Sequence, residues 1–223
     1  MASNKSVTIN RLDIVDYKEN PIREVEAISS KSFIHRALIC ASLAQGRSTI
    51  SYKGLSEDIM ATISALEVMG AKICIEKDLM TIVAIPADNR SHSIGSKGNH
   101  DHISSDGKYG EKIVDCRESG STLRMLLPLA TSLSDDYIFT GRHGLMTRPI
   151  DDLTQALRKA GFSISSDSLP IKIRNRINNI RDIKSKKISD FQIRGDISSQ
   201  YISGLLLAGP LMDGKLRVDV LDK

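Results

Sequence analysis

Hydrophobic and polar positions along this chain switch between two periods. Alternation of period two predicts strands at Ser6–Leu12 and Ile22–Ile28. Helical spacing then predicts a helix over Ser32–Ala44, followed by a short strand at Thr49–Tyr52. Glu57–Met69 reads as an amphipathic helix stopped by Gly70. Lys72–Glu76 and Met80–Ile85 read as a strand pair turning at Lys77-Asp78. The same order then returns. Ser121–Leu133 is predicted helical and Tyr137–Thr140 a strand. Pro149–Ala160 is a helix with Pro in its first turn and Gly161 at its end. Phe162–Ser165 and Pro170–Arg174 are expected to pair. A third round begins with a strand at Phe191–Arg194, a helix at Ser198–Leu207 and a strand at Leu216–Val220.

Two landmarks support a repeat. Gly70 and Gly161 stand 91 positions apart, and Arg36 and Arg124 stand 88 apart. The pattern implies an α/β fold of βαβαββ units whose third unit is incomplete. The stretch Ala87–Gly110 breaks the pattern. It is rich in Ser, Gly, Asn, Asp and His, and is expected to be a mobile insertion. His92, His100, His102 and Asp101 lie in it, but their spacing fits no recognised metal motif.

The first helix of each round is apolar nearly all round, as in Ala37–Ala44, Leu123–Ala130 and Leu205–Pro210. Such helices are expected to be buried. Each starts with small polar residues: Ser29-Ser30-Lys31-Ser32, Glu118-Ser119-Gly120-Ser121-Thr122 and Ser198-Ser199-Gln200. Serine is a good N-cap, which accounts for any one of them. Three together, with Lys31, Arg36, Arg124 and Arg148 nearby, suit a small, multiply anionic ligand, because helix N-termini offer free N–H groups and a positive dipole end.

Composition narrows the partners. The 223 residues are 40% hydrophobic and 26% charged, ordinary globular usage, with 4% aromatics and no Trp. The three cysteines, Cys40, Cys74 and Cys116, read as reduced core thiols of a cytoplasmic protein. No signal peptide or membrane span is apparent. The net charge of +4 gathers in Lys172–Arg176 and Lys184–Lys187. That run reads either as a solvated edge or as the patch of a non-catalytic anion- or nucleic-acid-binding module. No aromatic residue interleaves it to stack on bases.

Four segments together resemble a known family. Ser30-Lys31-Ser32-Phe33-Ile34-His35-Arg36-Ala37-Leu38 resembles the S-K-S-x-x-x-R-A-L segment of the 5-enolpyruvylshikimate-3-phosphate synthase (3-phosphoshikimate 1-carboxyvinyltransferase) family. Glu118–Arg124 resembles its N-A-G-T-x-x-R segment, Gly141–Ile150 its R-P loop and Ser198–Tyr201 its S-S-Q-[FY] segment. Glu118 departs from the pattern where the family often has Asn, and Ile28-Ser29 replace Pro-Gly.

The resemblance implies two domains of βαβαββ units and transfer of the enolpyruvyl group of phosphoenolpyruvate to the 5-hydroxyl of shikimate 3-phosphate, with no cofactor and no metal. It implies that residues 1–20 are a crossover strand belonging to the other domain. Residues 21–223 would be the shikimate 3-phosphate-binding domain, and the second catalytic domain would be absent. Lys31, Ser32, Arg36, Ser198, Ser199 and Gln200 would hold shikimate 3-phosphate. Lys31, Gly120, Arg148 and Gln200 would hold phosphoenolpyruvate, with Lys31 catalytic. Bland readings stand beside these: Gly120 as a turn residue, Arg148 in a surface ion pair, Lys31 as a solvated cation, and Arg124 as a buried ion-pair partner. A sister family, which transfers enolpyruvate to UDP-N-acetylglucosamine, typically has K-N where this chain has Lys31-Ser32, and a Cys in the loop Gly141–Arg148 that is missing here.

Overall fold

The structure is a computed structural model that describes residues 29–90, 111–175, 188–212 and 215–221. The strands expected at Ser6–Leu12 and Ile22–Ile28, the histidines at 92, 100 and 102, and the basic residues 176–187 lie outside these residues. In chain order the helices are α1 (Lys31–Leu43), α2 (Glu57–Val68), α3 (Gly120–Ala130), α4 (His143–Met146), α5 (Asp151–Lys159) and α6 (Ser199–Ala208). The strands are β1 (Arg47–Ser51), β2 (Lys72–Ile75), β3 (Leu79–Val83), β4 (Lys112–Asp115), β5 (Tyr137–Thr140), β6 (Ile171–Ile173), β7 (Ile188–Arg194) and β8 (Lys215–Leu221).

The strands form three small sheets. In the first, β3 lies between β1 and β2, antiparallel to both. In the second, β5 lies parallel to β4 and antiparallel to β6. In the third, β7 and β8 run parallel, joined through α6. The sequence pattern does not predict β4: four residues directly after a Ser/Gly-rich stretch carry too short a pattern. The expected Phe162–Ser165 strand is reduced to one bridge, Ile164 to Ile173. Its partner begins at Ile171. Pro170 has no N–H to offer the ladder.

Helices α1, α2, α3 and α6 pack on one another, with α1 against the first sheet, α3 against β5 and α6 against β8. Their apolar faces form one core, with Leu38, Leu66, Leu126, Phe139 and Leu205 all buried. Burial all round holds for α3 alone. Helix α1 leaves Phe33 73% exposed, and α6 leaves Leu206 56% exposed. Of the three cysteines only Cys116 is in the core; Cys40 and Cys74 are exposed, which corrects the expectation of core thiols. All three are free, and burial pushes the Cys116 thiol well above its ordinary value.

Local chemistry sets the helix ends. Ser56 accepts from the Ile59 N–H at the start of α2, and Glu57 and Asp58 follow at the positive dipole end. Gly70 and Gly161 stand two residues past the ends of α2 and α5 with φ +110° and +103°, a left-handed turn that favours glycine. Arg90 follows the 3-10 turn Ala87–Asn89, at the head of the stretch expected to be an insertion. It donates to the carbonyls of Ser42, Leu43 and Ala44, closing the C-terminus of α1. Helix α6 crosses α3 at Gly204. A Cβ there would lie 2.6 Å from the Arg124 carbonyl oxygen and 3.1 Å from Met125 Cα, so the crossing needs a residue without a side chain.

Candidate functional site

The N-terminal turns of α1, α3 and α6 are joined by side chains. The chain reaches α1 held at Ser29, whose N–H donates to the Lys53 carbonyl (3.2 Å) and whose Oγ accepts from the Lys53 N–H (2.8 Å). Lys31 Nζ pairs with the Asp58 carboxylate on α2. Arg36 donates from Nη1 to its own helix at the Ser32 carbonyl (2.8 Å). From Nη2 it donates to Ser203 Oγ on α6 (2.9 Å). Among the described residues no carboxylate pairs with Arg36. Ser203 Oγ in turn donates to the Ser199 carbonyl, 3.1 Å away.

The second cluster surrounds Gly120, the first residue of α3. Ser119 caps this helix by accepting from the Thr122 N–H (3.1 Å). A Cβ on Gly120 would lie 2.9 Å from Arg124 Nη1 and 3.1 Å from Arg148 Nη1, so two guanidinium groups share the space a side chain would take. Arg124 donates to Gln200 Oε1 (3.3 Å) and to the Pro149 carbonyl (3.5 Å), and its guanidinium lies 5.7 Å from the centroid of the Tyr201 ring. Gln200 Nε2 donates to Ser121 Oγ (2.8 Å), and Ser198 Oγ accepts from the Gln200 N–H (3.3 Å). Arg148 is exposed and has no carboxylate partner among the described residues, so the surface ion pair is not formed there.

Below the helix starts runs a buried polar chain. His35 Nδ1 bonds Thr62 Oγ1 (2.8 Å), which bonds Thr122 Oγ1 (2.6 Å), which donates to Ser119 Oγ (2.7 Å). Burial holds the His35 imidazole at about 4, well below the ordinary histidine range, with the charges of Lys31 and Arg36 acting the same way and Asp58 against. The imidazole is therefore neutral at pH 7. Among the described residues no three His, Cys, Asp or Glu side chains gather as a metal site.

A family model described as EPSP synthase (3-phosphoshikimate 1-carboxyvinyltransferase) matches residues 18–221. This chain belongs to the EPSP synthase family. A 3-phosphoshikimate 1-carboxyvinyltransferase of Clostridium kluyveri is 37% identical over 201 residues, 88% of this chain and 40% of that protein. One from Methanocorpusculum labreanum is 35% identical over 196 residues, 87% of this chain and 40% of that protein. The chain thus spans about two fifths of the length of the curated relatives it matches. The solved EPSP synthase of Acinetobacter baumannii shares the fold, with a TM-score of 0.60 at 23% identity over 82% of this chain and 36% of that one. These matches do not favour the UDP-N-acetylglucosamine reading.

Within this EPSP synthase-family chain, the residues singled out from sequence fall into two clusters. Ser32 and Arg36 meet the α6 start through Ser203, while Gly120, Arg148 and Gln200 gather around Arg124. Lys31 faces α2. Arg124 has no ion-pair partner among the described residues and bonds Gln200 and the Pro149 carbonyl. Glu118 is exposed and lies beside Gly144, and its chain neighbour Arg117 pairs with Glu57 (2.8 Å). Sequence reasoning misses Asp58, Ser121, Tyr201 and Ser203. Ser121, Tyr201 and Ser203 sit inside or one turn from a recognised segment and Asp58 sits on the separate helix α2, but nothing local marks any of their cross-helix partners. Lys172 in the basic run pairs with Glu111 at 3.4 Å. No helix among the described residues is long and apolar enough to cross a membrane.

Proposed function

We propose that this chain supplies the shikimate 3-phosphate-binding part of an enzyme that transfers the enolpyruvyl group of phosphoenolpyruvate to the 5-hydroxyl of shikimate 3-phosphate, with release of phosphate. The observation that carries this reading is Arg36. It is a cation with no carboxylate partner among the described residues, bonded to Ser32 in the first turn of α1 and to Ser203 in the second turn of α6, the helix that the Ser198-Ser199-Gln200 segment starts. Free N–H groups, hydroxyls and a guanidinium in one place suit a phosphate ester.

In this reading Ser32, Arg36, Ser198 and Ser199 hold shikimate 3-phosphate. Gln200 lies between the substrates. Gly120 and Arg148 take phosphoenolpyruvate, Gly120 by leaving room and Arg148 by a bidentate clamp. Lys31 stands near the reacting hydroxyl. The reaction adds that hydroxyl to the phosphate-bearing carbon of phosphoenolpyruvate as the methylene carbon is protonated. The tetrahedral intermediate then loses phosphate as the methyl group gives a proton back. Moving those protons requires positioned acids and bases, and we assign them to the length that the curated relatives have beyond this match.

The finer architecture belongs to the same reading. The described helices and strands are read as belonging to βαβαββ units of a shikimate 3-phosphate-binding domain. Three free cysteines suit a cytoplasmic setting.

The test is calorimetric titration of the purified chain with shikimate 3-phosphate, followed by a phosphate-release assay with both substrates. Saturable binding without turnover is expected. No binding, or sustained turnover by the chain alone, overturns the reading.

A further inference from the structure

We propose that Tyr201 is a positioning residue for Arg148, its hydroxyl pinning the carbonyl that follows Arg148 and so coupling the helix that carries Ser198–Gln200 to the loop that carries Arg148. The proposal rests on the reading of Arg148 as a phosphoenolpyruvate ligand. Tyr201 is fully buried, and its Oη donates to the Pro149 carbonyl at 2.7 Å, the shortest bond that α6 makes to this loop among the described residues. Burial pushes the phenol above its ordinary value, so it stays protonated and remains a donor.

Pro149 has no N–H, so its carbonyl is the polar backbone handle next to Arg148. On the near side, the Arg148 N–H donates to the Leu145 carbonyl (3.1 Å). On the far side, the Ile150 carbonyl accepts from the Thr154 N–H (3.1 Å) and anchors α5. Tyr201 thus fixes the middle of a short connection held at both ends. Arg124 reaches the same carbonyl only at 3.5 Å, and it lies over the Tyr201 ring.

The hydroxyl is separable from the packing. A phenylalanine would fill the same buried volume and keep the ring under Arg124, yet leave the Pro149 carbonyl with Arg124 alone. The phosphoenolpyruvate side of the site would then loosen while the shikimate 3-phosphate side, held by Arg36 and Ser203, would not.

The experiment compares the full chain with Tyr201→Phe, Arg148→Ala and the double variant. Phosphoenolpyruvate and shikimate 3-phosphate are titrated separately by amide chemical shifts, and hydrogen exchange is followed at the Arg148 amide. Tyr201→Phe is expected to weaken phosphoenolpyruvate roughly threefold to tenfold, the scale of one hydrogen bond. It should leave shikimate 3-phosphate unchanged and speed exchange at Arg148. Arg148→Ala should weaken phosphoenolpyruvate further, with Tyr201→Phe adding nothing in that background. Equal loss of both ligands in Tyr201→Phe, or unchanged exchange at Arg148, overturns the positioning role. No phosphoenolpyruvate binding by the unsubstituted chain, or no effect of Arg148→Ala, overturns the ligand assignment beneath it.

Discussion

Arg36 and Ser203 stand 167 residues apart in sequence, yet a 2.9 Å hydrogen bond from the Arg36 guanidinium to the Ser203 hydroxyl joins the starts of α1 and α6. Among the described residues the guanidinium is held in place by neutral partners, which leaves its charge available to an anion. If Arg36 holds the phosphate ester as proposed, replacing it removes a charge-assisted contact worth about 1.5–3 kcal/mol. Arg36→Ala is therefore expected to weaken shikimate 3-phosphate roughly tenfold to a hundredfold in a calorimetric titration. Arg36→Lys should restore little, because a point charge cannot bond Ser203, Ser32 and a phosphate in one plane.

The crossing of α3 and α6 makes a second prediction. A methyl group on residue 204 would meet the Arg124 carbonyl at 2.6 Å, and backbone cannot swing aside as a side chain can. Gly204→Ala should destabilise the chain by about 1–3 kcal/mol, the usual cost of overpacking. Urea unfolding measures this. An unchanged midpoint would mean that the helices separate freely.

Histidine 35 predicts an acid limb. Its folded-state value is about 4 against an ordinary 6.5, so the folded chain refuses a proton that the unfolded chain takes. The contribution is full above pH 6.5 and falls away as the pH drops toward 4, by up to about 3 kcal/mol. Unfolding midpoints measured from pH 7 to pH 4 should show this loss. A His35→Leu chain should show a flatter profile over the same window. Parallel profiles for the two chains would assign the acid limb to other groups.

Arg90 closes α1 by donating to three consecutive carbonyls at its C-terminus, those of Ser42, Leu43 and Ala44. A cation there also meets the negative end of the helix dipole. Arg90→Ala is expected to cost about 1.5–3 kcal/mol, the range for bonds to a charged donor. Thermal unfolding should register it, with fraying of the last turn of α1 visible as faster amide exchange at Ala44, whose N–H bonds the Cys40 carbonyl. Arg90→Lys should recover only part.

Much of this fold is legible in the chain because it is local. Ser119 and Ser198 cap their helices as their types suggest, and Gly70 and Gly161 stop α2 and α5 in the matched left-handed turns. What is not legible depends on partners far along the chain. Ser30 precedes α1 yet makes no side-chain cap bond. Lys31 finds Asp58, one polar residue among several on α2, and Arg36 finds Ser203, an ordinary serine in an apolar helix. Cys40 sits in an apolar run and is nonetheless exposed, because α1 covers only part of its circumference. Helical periodicity shows that a face will be covered, and the packing of the other helices decides how wide that face is.

The glycine at the start of α3 has an energetic consequence. With no side chain at residue 120, the Arg124 and Arg148 guanidiniums approach the same point. Two like charges brought together repel, and a counter-charge relieves that repulsion. An anion settling between them does this, so part of its affinity comes from repulsion relieved rather than from the bonds it forms. Dissolved salt competes for the same role: near physiological ionic strength the screening length is about 8 Å, comparable to the size of the cluster. Chloride should therefore stabilise the folded chain and, in the same measure, blunt its pull on a phosphate.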